Sequence, residues 1–130
     1  VSKDELLECS DFISMHLLLN EDTRKSINAD FFKKMKKSAI FINTGRGGLV
    51  DEEALIEALR TGEIAGAGLD VLTAEGIDRD APLQKFDNVI ITPHAAWYSE
   101  EAFNTLLTSA AQEVVRALHG ESVKNQVNKF

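Results

Sequence analysis

Four short apolar segments, separated by stretches of helical character, constrain the fold of this chain more than any other feature. The segments are residues 12–15, 39–43, 66–71 and 88–92. Each has the length of a strand, and segment 39–43 is apolar on both faces, which is typical of a parallel strand covered by helices on each side. Helical patterns occupy 28–35, 52–60 and 99–118. This alternation predicts an α/β fold: a doubly wound sheet of about four parallel strands with flanking helices and a long C-terminal helix.

The predicted helices carry signals at their ends. We expect the three N-caps at Asn28 or Asp30, at Asp51 and at Ser99. Gly62 and Gly120 lie just past the second and third helices, where glycine commonly ends a helix. The one long irregular stretch is 72–87, and a loop of that length between parallel strands is usually functional or a disordered insert.

Charge and cysteine content narrow the classes of function. The net charge is −7, which argues against nucleic acid or an anionic membrane as the partner, because both are bound mainly through an excess of Lys and Arg. No apolar run reaches the length of a membrane span, and residues 1–4 do not resemble a signal peptide. Cys9 is the single cysteine, so no internal disulfide can form and the cytoplasm is the expected compartment. His16 and His94 lack neighbours at metal-ligand spacing, so no metal site is expected.

Ligands of an open parallel sheet bind beyond the carboxyl ends of its strands. The residues expected at that edge are His16 after the first strand, 43–48 after the second, Asp70 after the third and His94 after the fourth, with Glu75 five residues past Asp70. Neither 45–48 nor Gly66 with Gly68 meets the Gly-x-Gly-x-x-Gly or Gly-Lys-Ser/Thr pattern. The edge therefore gathers an arginine, two carboxylates and two histidines without a phosphate-binding loop.

Four segments now resemble one known family. Residues 43–51 (NTGRGGLVD) look like the arginine signature of the D-isomer-specific 2-hydroxyacid dehydrogenases. Residues 66–71 followed by Glu75 look like their aspartate–glutamate signature, and 88–94 (NVIITPH) like their histidine signature. Residues 10–16 match the preceding strand, and 96–102 resemble the branch that includes C-terminal-binding protein and related bacterial enzymes.

The resemblance implies hydride exchange between a nicotinamide cofactor and a D-2-hydroxy acid or 2-keto acid. His94 would be the acid–base, Glu75 would orient and stabilise its imidazole, and Arg46 would clamp the substrate carboxylate. The cofactor, NAD or NADP with NAD favoured, would contact Asp70 and His16 and the backbone of Thr44 and Gly45. Trp97 would wall the substrate pocket.

The same resemblance implies a Rossmann-like domain of which this chain is the second half. The glycine loop, the acidic residue that reads the ribose and most of a substrate domain would precede Val1, while 121–130 looks like the family's C-terminal tail. We expect residues 1–98 to belong to the coenzyme domain and 99–130 to form a helix and tail. The chain alone is then expected to be inactive. The strand nearest the missing half would have an unpaired edge, so we expect a homodimer. Gly76 stands where the family often has proline, so we expect the loop that carries Glu75 to be looser than in the family.

Simpler readings stay open. Glu75 can be a solvated loop acid, Asp70 the cap of a turn, His16 structural and Trp97 part of the core. The chain can instead be a non-enzymatic interaction module or folding unit that keeps a relic catalytic set. A flavodoxin-like or receiver domain also has parallel strands, but the arginine, glutamate and histidine would have no purpose there.

Overall fold

The structure, a computed structural model, describes residues 1–74 and 81–128. The helices are α1 (Lys3–Cys9), α2 (Ala29–Lys33), α3 (Glu52–Thr61) and α4 (Glu100–Leu118), and the strands are β1 (Phe12–Met15), β2 (Ile40–Asn43), β3 (Gly66–Leu69) and β4 (Val89–Ile91). Two short 3₁₀ turns occupy Gly47–Leu49 and Pro82–Lys85. The predicted α/β fold is confirmed, including its long last helix.

The four strands form one parallel sheet in the order β1-β2-β3-β4. Ser14 of β1 pairs with Ile42 of β2, Ile42 with Gly68 of β3, and Gly68 with Ile90 of β4. Because neighbouring strands follow one another in sequence and run in the same direction, their carboxyl ends lie along one edge. That edge is where residues 43–48, Asp70 and His94 follow their strands.

The core lies on one face of this sheet. Phe41 of β2 is fully buried and meets Phe31 and Phe32 of the α2 segment edge-on, with ring centroids 6.1 and 5.3 Å apart. On the other face Phe12 is 67% exposed and Ile90 72% exposed. The apolar pattern of 39–43 suggested cover on both faces. Right-handed crossovers that always step the same way along a sheet place their helices on the same side, so these connections cover one face only.

The helix ends follow the sequence signals closely. Asn28 caps α2 by accepting a hydrogen bond from the Phe31 amide, and Gly62 ends α3 with a φ of 69°. Asp51 occupies the N-cap of α3, but its carboxylate accepts no helix amide and instead lies 3.4 Å from Lys25 Nζ. Helix α1 begins at a Ser2 cap and buries Leu7, and it was not predicted from the sequence.

The chain divides into two compact units, Val1–Ala96 and Trp97–Phe130. In the second unit, Ser99 caps α4 as predicted, by accepting a hydrogen bond from the Ala102 amide. Gly120 follows the helix with a φ of 72°. No α4 residue is buried. Within the described part of the chain, no helix is both long and apolar enough to cross a membrane.

Candidate active site

Three of the predicted site residues line a single cleft at the carboxyl edge of the sheet. Arg46 follows β2, Asp70 follows β3 and His94 follows β4, and all three contribute to a cavity of about 540 Å³. The rest of the lining is mostly apolar or backbone: Leu19, Gly47, Gly48, Val71, Leu72, Thr73, Ala74, Ile91, Thr92 and Pro93. Side chains far apart in sequence therefore meet because parallel strands end together.

Arg46 stands on a loop that the side chain of Asn43 closes. Asn43 is 1% exposed; its Oδ1 accepts a hydrogen bond from the Gly45 amide at 3.0 Å, and its Nδ2 donates to the Arg46 carbonyl at 3.0 Å. The Arg46 side chain is exposed and donates from Nη1 to the Gly45 carbonyl at 2.8 Å. The backbone of the loop is thus held from the core, while the guanidinium faces the cleft.

Gly47 lets the loop that carries Arg46 (the arginine loop, residues 43–48) approach the segment that follows β3 closely. A Cβ at Gly47 would lie 2.0 Å from the Leu72 carbonyl oxygen and 2.6 Å from the Thr73 amide nitrogen. No side chain fits that gap, so only glycine allows this approach. The Thr73 amide also donates to Glu52 Oε2 on α3 at 3.2 Å. These contacts fix the start of the segment that leads towards Glu75.

The Asp70 carboxylate organises the turn that carries His94. Its Oδ1 accepts hydrogen bonds from the Thr92 hydroxyl and from the Ala95 amide at 2.8 Å. Its Oδ2 accepts from the Ala96 amide at 2.9 Å, and the Asp70 carbonyl accepts from the His94 amide at 2.9 Å. His94 itself has a φ of 53°, a left-handed conformation that a non-glycine residue adopts only when its surroundings impose it.

The environment of Asp70 favours its charged form. Burial is the largest single influence and works to raise the pKa of the Asp70 carboxyl, which is 4% exposed. The Thr92 hydroxyl, the Ala96 and Ala95 amides and the charge of His94 together outweigh burial, so the pKa of Asp70 lies below its ordinary value. Asp70 is therefore a buried carboxylate whose charged form is stabilised by its hydrogen-bond partners.

The remaining predicted site residues lie at several separate positions. Thr44 and Gly45 lie on the arginine loop and are partly buried. His16 is exposed beyond β1, where its Nε2 lies 2.9 Å from Ser14 Oγ; these three residues do not line the cleft. Trp97 belongs to the second unit, is 47% exposed and packs edge-on against Tyr98 with ring centroids 5.6 Å apart. The prediction for Glu75 falls outside the described residues.

The cleft has the size and the lining of a small-molecule site. Its volume lies within the range of small-molecule sites, and Leu19, Leu72 and Ile91 give it apolar walls. Arg46 and His94 add an anion-binding group and an acid–base group in the same space. Among the described residues, no group of three or more His, Cys, Asp and Glu side chains is placed to hold a metal ion.

Two residues that contribute to this site were not predicted from the sequence. Asn43 was noted only as part of a motif, although a polar residue that ends an apolar strand two positions before a glycine is a signal for a side chain-closed turn. Leu19 lies in the connection after β1, and its Cδ2 would be 3.0 Å from a Cβ on Gly48. No pattern in the sequence marks Leu19, because its role depends on how two loops meet in space.

Comparison with protein families and with curated proteins identifies the family of this chain. Residues 1–96 match the family model described as D-isomer specific 2-hydroxyacid dehydrogenase, NAD binding domain. The chain is 46% identical over 125 residues to a glyoxylate/hydroxypyruvate reductase B from Cronobacter sakazakii, a match that covers 96% of this chain and 39% of that protein. The chain thus spans about two fifths of the length of the curated relatives it matches.

Similar solved structures indicate the same family. The chain is similar to a D-isomer specific 2-hydroxyacid dehydrogenase from Lactobacillus delbrueckii in its NAD complexed form, with a TM-score of 0.87, 36% identity and coverage of 98% of this chain and 43% of that one. A D-isomer specific 2-hydroxyacid dehydrogenase from Xanthobacter autotrophicus in complex with NADPH and MES has a TM-score of 0.77 and 38% identity, covering 96% of this chain and 51% of that one. The chain therefore belongs to the D-isomer specific 2-hydroxyacid dehydrogenase family, within its NAD-binding domain.

Proposed function

We propose that this chain supplies the nicotinamide side of the active site of an NAD(P)-dependent D-2-hydroxyacid dehydrogenase. By the whole protein we mean this chain together with the segments that its relatives carry outside the matched region. The observation that carries the proposal is the shared cleft, because Arg46 and His94 line one cavity although they lie on different strands' loops. Membership of the family supports the same reaction.

In the proposed reaction, a nicotinamide cofactor held by this chain would supply the hydride chemistry at C2 of the substrate. His94 takes the hydroxyl proton when the hydroxy acid is oxidised and returns a proton to the keto oxygen in the reverse direction. Arg46 holds the substrate carboxylate through its planar pair of N–H donors and polarises the C2 oxygen. Glu75, by the family resemblance, hydrogen-bonds the second nitrogen of the His94 ring and stabilises the imidazolium.

We propose that the cofactor contacts the backbone of Thr44 and Gly45 and the side chains of Asp70 and His16. For Asp70 this would be a second task, since three hydrogen bonds already occupy its carboxylate and only Oδ2 has a single partner. Trp97 is proposed to wall the substrate pocket. Both NAD and NADPH are named with the solved relatives, and we favour NAD. Without a glycine loop of its own, this chain would hold only the nicotinamide end.

The substrate proposed is a small 2-keto acid or the corresponding D-2-hydroxy acid. The Cronobacter sakazakii relative is named for glyoxylate and hydroxypyruvate, so these two and pyruvate are the compounds to offer. We further propose a homodimer, because β1 and β4 end the described sheet and leave strand edges, and a cytoplasmic location. A clean monomer in sedimentation at high concentration would remove the dimer.

The experiment measures NADH and NADPH oxidation with each keto acid, by the chain alone and by the whole protein. We expect turnover only in the whole protein. Arg46→Ala should lower kcat/KM by about 10²-fold or more, as loss of a donor at a reacting oxygen does. Arg60→Ala is the matched control, because Arg60 is an exposed arginine of α3 paired with Glu57. Keto-acid reduction that survives in Arg46→Ala would remove the carboxylate clamp, and turnover by the chain alone would overturn the account of what it lacks.

A further inference from the structure

The best-buried polar side chain of the described core lies directly under the arginine loop. Asn43 ends β2 and is 1% exposed. We propose that Asn43 is a positioning residue for Arg46, which sets where the guanidinium meets the substrate carboxylate. The inference rests on the proposed role of Arg46, and it gives a task to a residue that the family resemblance only includes in the arginine signature.

The carboxamide bridges the loop at two points. It accepts from the Gly45 amide and donates to the Arg46 carbonyl, both at 3.0 Å. The Asn43 carbonyl accepts from the Asp70 amide at 2.9 Å, which ties the base of the loop to β3. Among the described residues, the Arg46 side chain has one hydrogen bond, to the carbonyl of its neighbour Gly45. The position of Arg46 is therefore determined by its backbone, and Asn43 determines that backbone.

The chemistry of this contact admits few substitutes. One planar group must both donate and accept over a span of three residues, in a place closed to water. A buried partner left unsatisfied costs about 1–3 kcal/mol, so the loop would move to recover its hydrogen bonds. Because a misplacement of about 1 Å at a catalytic group can cost about 10²-fold in rate, a small shift of the Arg46 backbone should be visible in kcat/KM.

Asn43→Asp gives the sharpest test because the new group titrates. An ionised carboxylate can accept from the Gly45 amide but faces the Arg46 carbonyl with a second acceptor. Burial beside that oxygen raises the pKa of the introduced carboxyl. Once protonated, it again donates to Arg46 and accepts from Gly45, as the amide does. We expect kcat/KM for glyoxylate in the whole protein to fall about 10-fold or more at about pH 8 and to return towards wild type at about pH 5.5, when compared at each pH.

Asn88→Asp is the matched control. Asn88 Nδ2 donates to the Ala65 carbonyl at 2.8 Å, a bond of the same kind at the opposite end of the sheet. Its variant should follow wild type at both pH values. A loss in Asn43→Asp that is equal at both pH values, or no loss at about pH 8, would overturn the proposal.

The chain alone provides a readout that needs no activity. Amide hydrogen exchange at Leu49, whose amide donates to the Arg46 carbonyl at 3.2 Å, should be faster in Asn43→Asp than in wild type at the higher pH, after correction for intrinsic rates, and protected again at the lower one. Unchanged protection would refute the inference even if the whole protein were inactive. If Arg46→Ala leaves kcat/KM unchanged, the carboxylate clamp has failed. If Arg46→Ala lowers kcat/KM while Asn43→Asp does not, only the positioning role has failed.

Discussion

Replacement of Asp70 by asparagine should weaken the fold through the turn that carries His94. In the native chain, the Asp70 carboxylate accepts from one hydroxyl and two amides, those of Thr92, Ala95 and Ala96. An asparagine in the same place can present one oxygen only. If that oxygen keeps Thr92 and Ala95, the new NH₂ group faces the Ala96 amide, and two donors oppose each other.

The cost follows from counting these bonds. A hydrogen bond to a charged group contributes about 1.5–3 kcal/mol and a neutral one about 1 kcal/mol. Asp70→Asn loses one charge-assisted bond and weakens two others. A neutral amide is cheaper to bury than a carboxylate, and the left-handed backbone of His94 can relax once its anchor loosens. We expect the free energy of unfolding to fall by about 2–3 kcal/mol near neutral pH, a large part of the roughly 5–15 kcal/mol typical of a domain.

The loss should depend on pH in a defined direction. The folded pKa of Asp70 lies below its ordinary value, so its ionised form stabilises the fold above the unfolded pKa of about 3.9. That contribution is lost as pH falls from there through the lower, folded pKa. Asparagine does not titrate, and the difference between wild type and Asp70→Asn should therefore shrink in acid.

Urea unfolding followed by far-ultraviolet circular dichroism measures both quantities at several pH values. Asp87→Asn is the matched control, because Asp87 is an exposed carboxyl near the opposite end of β4, and it should change the free energy of unfolding by less than about 0.5 kcal/mol. The reasoning would be refuted by an Asp70→Asn variant as stable as the control. A difference that stays constant from neutral to acid pH would refute it as well.

Two further predictions concern packing. Gly47→Ala should lower the free energy of unfolding by about 2 kcal/mol or more, because its Cβ would lie 2.0 Å from the Leu72 carbonyl oxygen, whereas Gly68→Ala, whose nearest contact would be at 3.9 Å, should be nearly neutral; urea unfolding of the two variants compares them directly. Phe41→Ala should cost about 3–5 kcal/mol because Phe41 is fully buried. The same change at Phe12, which is 67% exposed on the other face of the sheet, should cost much less, and equal melting temperatures for these two variants would contradict the one-sided core.

The sequence predicts those features that depend on neighbours along the chain. The cap at Ser99, the stop at Gly62 and the four strands are all local patterns, and the structure confirms them. Asp51 shows the limit of such reasoning, since its carboxylate lies by Lys25 of another segment instead of capping its own helix. Helix α1 was missed because only Leu7 of its residues is buried, which leaves almost no apolar periodicity to detect.

The candidate site likewise has some features that the sequence predicts and others that it does not. That Arg46, Asp70 and His94 would gather at one edge follows from parallel strands alone. For Asp70 the sequence leaves two roles open, a cofactor contact and the cap of a turn. The structure shows the cap, but the sequence does not indicate its partners, because Ala95 and Ala96 lie 25 and 26 residues away and contribute only backbone amides. Every residue except proline has a backbone amide, so residue identity does not show which amides will bind a carboxylate. The turn that these amides form is therefore seen only in the structure.

Asn43 and Asp70 together suggest how exposed side chains at this edge of the sheet are held on well-defined turns. Arg46 and His94 are exposed, as groups that meet a ligand must be, and among the described residues the one side-chain hydrogen bond of Arg46 is to its neighbour Gly45. Each instead stands on a turn that a buried polar side chain closes from below, an amide for Arg46 and a carboxylate for His94. The Asp70 amide donates to the Asn43 carbonyl, so the two turns share a base. Because the two supports are joined, Asn43→Asp and Asp70→Asn should not have additive effects on the free energy of unfolding, and a double-mutant cycle with a coupling below about 0.5 kcal/mol would show that the turns are held independently.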